Sequence, residues 1–268
     1  ADLGNRTKLY DLFTDLLIDG YLSDAIDKRI DAVTDADLAF TIDGKQIDEM
    51  DALMDTPEFE SLLREIMLSR FWGVSLIECL FLDGFGFKSI PRKHIRTKTK
   101  EVAIREEDEH GIPYAGNDLI IQFGQDDDFG ILLRAAPFVI YKRGGFGDWA
   151  QFVELFGMPQ RIGKYSSMDE QSRRALIQAF EEAGSAPYLV IPKETEATQT
   201  TLSSSGNGAL YNDFRGACNE EILITVLGQT MTTQDGSSLA QGQVHMAVQE
   251  KKHRADRRFV ERMLNKYF

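Results

Sequence analysis

The stretch that decides the fold is Ile222–Phe268, ILITVLGQTMTTQDGSSLAQGQVHMAVQEKKHRADRRFVERMLNKYF. It falls into three parts. Ile222 and Leu223 complete the apolar face of a helix predicted over Tyr211–Leu227, a face that starts with Phe214 and Cys218 at helical spacing. Gly228 stops that helix. A loop over Gly228–Gln243 is rich in Gly, Ser, Thr and Gln and holds no Lys or Arg. Val244–Phe268 then reads as a long, highly charged helix. Its apolar positions, Val248, Phe259, Val260, Met263 and Leu264, are concentrated at the far end.

Outward from this stretch the chain is predicted to be α+β. Leu9, Leu12, Phe13, Leu16 and Leu17 share a helix face, and Gly20 is expected to end that helix. Ser23 is the expected N-cap of a second helix carrying Ile26, Ile30 and Val33. A third helix opens after Pro57 with Phe59, Leu62, Leu63, Ile66 and Met67. The middle reads as antiparallel β: Val74–Leu82, Phe85–Ile90, Val102–Ile104 and Leu119–Phe123, separated by turns. Gly144–Gly147 is expected to form a loop, with Asp148 capping a short helix through Trp149 and Phe156. Arg161–Tyr165 reads as extended. Met168–Ala183 is a helix so polar that it should either stand apart from the main core or pack in an assembly. Tyr188–Pro192 and Thr198–Leu202 are expected to pair as a hairpin, and Ser203–Gly208 to be a linker.

Composition narrows the function. The chain has 268 residues, with 30 Lys and Arg against 43 Asp and Glu, a formal charge of −13. A protein that coats nucleic acid by neutralising phosphates needs a cationic face, so that class is disfavoured. Cys79 and Cys218 make no disulfide framework. No apolar run reaches the ~18–20 residues that span a bilayer, and no membrane partner is expected. Ala1 is not preceded by an initiator Met, which suggests a trimmed chain or a fragment. Catalytic constellations are lacking. His245 and His253 lie on one helix without a zinc-binding pattern, and Glu250 near His253 reads as a surface contact. The glycines of KRGGFGD lack the Lys and hydroxyl of a nucleotide-binding loop. No cofactor or metal is expected, and no catalytic residue. A nuclease that holds a divalent cation on Asp126–Asp128 with Glu106–Glu109 is the weakest reading.

Two motifs in order then carry a resemblance. The stretch Asp148–Phe180, DWAQFVELFGMPQRIGKYSSMDEQSRRALIQAF, resembles the Mu-like phage portal protein family: a Trp-containing helix, then FG-P-R-GKY, then a charged helix. The residues that match are Trp149, Phe156, Gly157, Pro159, Arg161, Gly163, Lys164 and Tyr165. The final stretch is similar to the same family's LGQT-TT, then GS, then a helix containing VH, here with His245. The similarity covers Gly145–Phe268 well and the N-terminal half loosely.

The resemblance implies a subunit of a dodecameric ring at a capsid vertex of the virion, assembled in the bacterial cytoplasm. Double-stranded DNA passes through the ring, driven by a separate terminase. Capsid and head–tail adaptor proteins dock on it. It also implies a layout: a wing-like α+β region over residues 1–165, then stem helices over 166–227 with a small clip near 186–203. A tunnel-like loop over 228–243 and a long helix over 244–268 follow, and the family continues beyond this helix. The residues expected nearest DNA are Gln229, Thr230, Thr232, Thr233, Gln234, Gly236, Ser237, Ser238 and Gln241. Phosphate contacts through Lys and Arg would slow release, so a loop without them suits low friction. The alternative is a phage scaffold or adaptor that oligomerises without touching DNA.

Overall fold

The computed structural model describes residues 4–80, 86–156, 161–166, 168–182, 188–193, 204–229 and 239–268. In chain order the elements are α1 (Thr7–Leu16), α2 (Gly20–Thr34), β1 (Thr41–Ile42), β2 (Lys45–Gln46), α3 (Asp48–Met54), α4 (Pro57–Trp72), β3 (Val74–Leu80) and β4 (Gly86–Ile90). Next come β5 (Ile95–Arg96), β6 (Glu101–Ala103), β7 (Gly111–Pro113), β8 (Ile120–Gly124) and α5 (Gly130–Phe156). The chain continues with β9 (Arg161–Tyr165), α6 (Glu170–Glu182), β10 (Tyr188–Pro192), α7 (Ser204–Leu227) and α8 (Leu239–Tyr267). They form two compact units, Ala1–Ile140 with Asn219–Phe268, and Tyr141–Cys218. The fold is α+β, as predicted.

In the first unit an antiparallel sheet, ordered β4-β3-β8, is covered by helices. β3 is buried on both faces over Val74–Ile77, which explains its continuous apolar run where an open sheet would alternate. The helices supply matching stripes: Tyr10, Phe13 and Leu16 from α1, Leu22, Ile26, Ile30 and Val33 from α2, and Leu62, Leu63, Ile66, Met67 and Phe71 from α4. Trp72 stacks against Tyr10 and Phe13 at 5.8 and 5.7 Å between ring centroids. Thr56 caps α4 through the Phe59 N–H, and Pro57 occupies the first turn, where its missing N–H costs nothing.

Two close crossings fix the turns at the sheet's end. Gly73, at φ +89°, follows α4, and a Cβ there would sit 2.2 Å from the Asp128 carbonyl oxygen. Gly124 pairs with Val74 in the β3–β8 ladder, and its own Cβ would meet the Gly73 carbonyl oxygen at 2.2 Å. Only glycine tolerates both that dihedral and that contact. A second small sheet, β5-β6-β7, hangs on Arg96. This buried guanidinium donates to the carbonyls of Lys93, Asp108 and Glu106 at 2.7, 2.7 and 2.8 Å.

The second unit is built differently from the expectation. Tyr188–Pro192 pairs in parallel with Arg161–Tyr165, from Tyr188 opposite Arg161 to Pro192 opposite Tyr165. Parallel strands need a crossover, and α6 supplies it. The polar helix supplies no residue to the main core among the described residues and instead covers this strand pair: Phe180 and Leu176 lie over Gly163, and the Phe180 and Tyr188 rings are 5.4 Å apart. The other half of the expected hairpin, Thr198–Leu202, lies outside the described residues. In the same unit the end of α5 and the start of α7 pack together through Phe152 and Tyr211 at 6.0 Å, and through Phe214 over Gly145.

Several boundaries also move. Gly20 begins α2 instead of ending α1. The α2 cap is Asp19, whose carboxylate accepts from the N–H groups of Tyr21 and Leu22, not Ser23. Gly144–Gly147 is helical, inside the 27-residue α5. Gly145 is there because the Phe214 ring needs the space: an added Cβ would lie 2.8 Å from it. The linker expected at Ser203–Gly208 is helical from Ser204. α8 begins at Leu239, so Gln241 and Gly242 belong to its first turns and not to the loop.

Candidate functional site

The candidate loop hangs between the C-terminus of α7 and the start of α8, and both flanks are tied to the first unit. Gly228 ends α7 in the left-handed region at φ +78°. Its N–H donates to the carbonyls of Ile224 and Leu223 at 2.9 and 3.2 Å, which satisfies orphan acceptors of the last turn. Two residues earlier the Val226 carbonyl accepts from Arg29 Nη1 at 3.0 Å and from Lys252 Nζ at 3.1 Å. Asp256 of α8 is fully buried and accepts from Arg29 Nε at 2.7 Å and Nη2 at 2.6 Å. Arg70 of α4 donates to the same carboxylate. One guanidinium on α2 thus grips the helix entering the loop and the helix leaving it.

This cluster is electrostatically tight. Arg29 lies over the Phe71 ring at 5.2 Å and Arg70 over Phe259 at 5.1 Å. Burial pulls the Lys252 ammonium below its usual range, and Asp256 opposes that pull. Burial likewise lowers His253, one helical turn before Asp256, and its Nε2 is buried without a hydrogen-bond partner among the described residues. A buried bidentate pair adds geometric specificity more reliably than net stability. Here the geometry it specifies is the register of α8 against α2 and α4.

The predicted site residues are placed as follows. Gln229 is buried, with its Nε2 donating to Gln249 Oε1 at 2.8 Å. Its side chain is thus held against α8 in this chain. Thr230, Thr232, Thr233, Gln234, Gly236, Ser237 and Ser238 lie outside the described residues. Gln241 and His245 are on α8. Trp149 is on α5 and stacks with Phe146 at 6.1 Å, and Phe156 is the last residue of α5. Gly157 and Pro159 lie outside the described residues. Arg161, Gly163, Lys164 and Tyr165 share β9. Gly163 has a clear reason: a Cβ would meet the Phe180 ring at 2.9 Å, so α6 could not lie as close to the strand.

Two members of the acidic triplet considered for a metal, Asp126 and Asp128, are already engaged. Asp126 pairs with Lys100 at 2.5 Å and accepts from Gln122 Nε2 at 2.9 Å. Burial raises its pKa, but these bonds outweigh that and hold it below the usual carboxylate range. Asp128 accepts from the Gly130 N–H at 2.8 Å. Among the described residues no group of three or more His, Cys, Asp or Glu is placed to hold a metal ion.

The residues missed in the sequence are Arg29 and Asp256. Both sit on apolar stripes. Arg29 falls in register with Leu22, Ile26 and Val33, and Asp256 with Val260 and Met263. A single charge on each of two core stripes, of opposite sign, was the available signal.

Known proteins place the chain in a class. A family model described as the portal protein of Mu bacteriophage matches residues 10–268. The chain belongs to this family of phage portal proteins, and the match reaches well into the N-terminal half. It is 29% identical over 133 residues to the portal protein of Escherichia phage Mu, covering 48% of this chain and 26% of that protein. It is 29% identical over 124 residues to the Mu-like prophage FluMu protein gp29 of Haemophilus influenzae, covering 45% of this chain and 24% of that protein. The matched stretch therefore spans about a quarter of each relative's own length. Among the described residues no helix is long and apolar enough to cross a membrane.

Proposed function

We propose that the chain is the channel-forming part of a phage portal subunit, with no catalytic role of its own. Copies close into a ring at a capsid vertex, double-stranded DNA passes through the centre, and terminase, capsid and adaptor proteins dock on the outside. On this reading α5 is the outbound stem, β9-α6-β10 the clip and α7 the return stem, so the clip starts earlier than the sequence suggested and includes α6. The loop from Thr230 to Ser238, which holds no Lys or Arg, faces the DNA. It lets the genome pass because it offers no cation to release counterions against.

The observation that carries the reading, beyond family membership, is the anchoring of the two helices that flank the loop. Val226 and Asp256, on the two flanking helices, both bond to Arg29. A loop that must hold its position against a moving polyanion needs such fixed flanks. The test is a phage whose full-length portal has residues 231–238 replaced by a short Gly-Ser link. Rings should assemble as in the wild type, while the fraction of DNA-filled heads should fall at least tenfold. Filled heads at wild-type levels would remove the loop from the mechanism.

A further inference from the structure

Two clefts of opposite charge lie near opposite ends of α4. The first, about 380 Å³, is lined by Arg70, Arg134 and Arg262 together with Ser69, Gln125 and Phe259. Of the three arginines only Arg70 is in an ion pair with a described residue, Asp256. Arg134 and Arg262 are exposed. Asp128 is the one acid in this lining, and its carboxylate is occupied by the Gly130 N–H. The second cleft, about 490 Å³, is lined by Asp35, Asp37, Asp51, Asp55 and Glu60 and by no cation. Asp51 is held by the Phe40 N–H and Gln46, and the other four are exposed.

Glu60 and Arg70 are separated by about 15 Å of helix rise. That exceeds the reach of a side chain and the ~8 Å Debye length at physiological salt. The two clefts of one molecule therefore cannot neutralise each other, and a second molecule can serve both. We propose that the arginine cleft receives the Asp35–Asp37 rim of a neighbouring copy, giving a head-to-tail contact that repeats around a ring. This rests on the portal reading and names the interface it requires. In a chain of net charge −13, three clustered arginines next to uncharged Ser69 and Gln125 suit carboxylates. DNA phosphate is the competing ligand that the test separates.

The experiment uses the full-length protein, imaged by negative-stain electron microscopy at physiological salt, with circular dichroism to confirm folding. R134E/R262E and D35K/D37K, all at exposed positions, should each lose rings. An equimolar mixture of the two, and the fourfold variant, should regain them, because every contact then pairs opposite charges again. The pairing is overturned if R134E/R262E forms rings like the wild type, if the mixture and the fourfold variant stay unassembled, or if R134E/R262E keeps its rings but loses DNA retention. Wild-type rings with unaffected variants sink only this pairing. A wild type that never closes into a ring sinks the portal reading as well.

Discussion

Asp256 on α8 receives both Nε and Nη2 of Arg29 on α2, at 2.7 and 2.6 Å, with neither side chain reaching solvent. They are 227 residues apart in sequence, so the contact ties α8 back to α2. Because Arg29 also holds the Val226 carbonyl, it couples the C-terminal end of α7 to the middle of α8, the two helices that flank the candidate channel loop.

Removing one partner should be far worse than removing both. Asp256→Ala leaves Arg29 charged and buried, and should cost about 3–5 kcal/mol. Replacing the pair by Arg29→Met with Asp256→Leu should recover most of this, since similar volume is kept without an uncompensated charge. Urea unfolding of the three proteins measures it; equal losses for single and double variants would show that the pair is not the coupling.

His253 makes the docking of α8 sensitive to acid. Burial lowers its pKa, with Asp256 and Glu250 opposing and Arg257 and Arg29 reinforcing. A depressed histidine binds fewer protons folded than unfolded, so stability is fully present above the unfolded pKa of ~6.5 and is lost as pH falls below it. Thermal unfolding between pH 7.5 and 5 should show a decline that His253→Gln flattens. A parallel decline in both proteins would contradict the assignment.

Gly73, like Gly124 and Gly130, should be among the least replaceable glycines in the first unit. Ala there must adopt φ +89° with its methyl 2.2 Å from a backbone oxygen, so Gly73→Ala should cost about 3 kcal/mol or more. Gly116, also at positive φ but with open space around it, is the control. Its Ala variant should cost clearly less in the same denaturant titration.

Gly163→Val should loosen the second unit and spare the first. The branched side chain meets the Phe180 ring, an overpacking worth about 1–3 kcal/mol. Hydrogen exchange should rise in β9 and β10 and stay unchanged in β3 and β8, and Phe180→Leu should restore part of the protection.

Much of this architecture was readable because apolar spacing governs it. The stripes of α1, α2, α4 and the end of α8 were legible, and so were β3, β8, β9 and β10 as strands. Strand partnership was not legible: Tyr188–Pro192 alternates as well for a hairpin as for the parallel ladder it joins with Arg161–Tyr165, and only the packing of Phe180 on Gly163 decides between them. Glycine misled twice. Gly144–Gly147 looks like a loop, yet the fit of Phe214 against Gly145 keeps the helix continuous, and Gly20 starts a helix because Asp19 caps it. In the candidate site the loop's composition was plain, but its anchor was hidden. Arg29 and Asp256 look like surface charges until their neighbours on the same stripes are seen to be buried.

Cryo-electron microscopy of the assembled full-length protein with DNA in place is the decisive measurement for the channel. It should show a closed ring with the Thr230–Ser238 loops pointing at the axis and Arg29 joined to Val226 and Asp256 of the helices that flank them. Loops on the outer surface of the ring, or folded away from any shared axis, would contradict this arrangement.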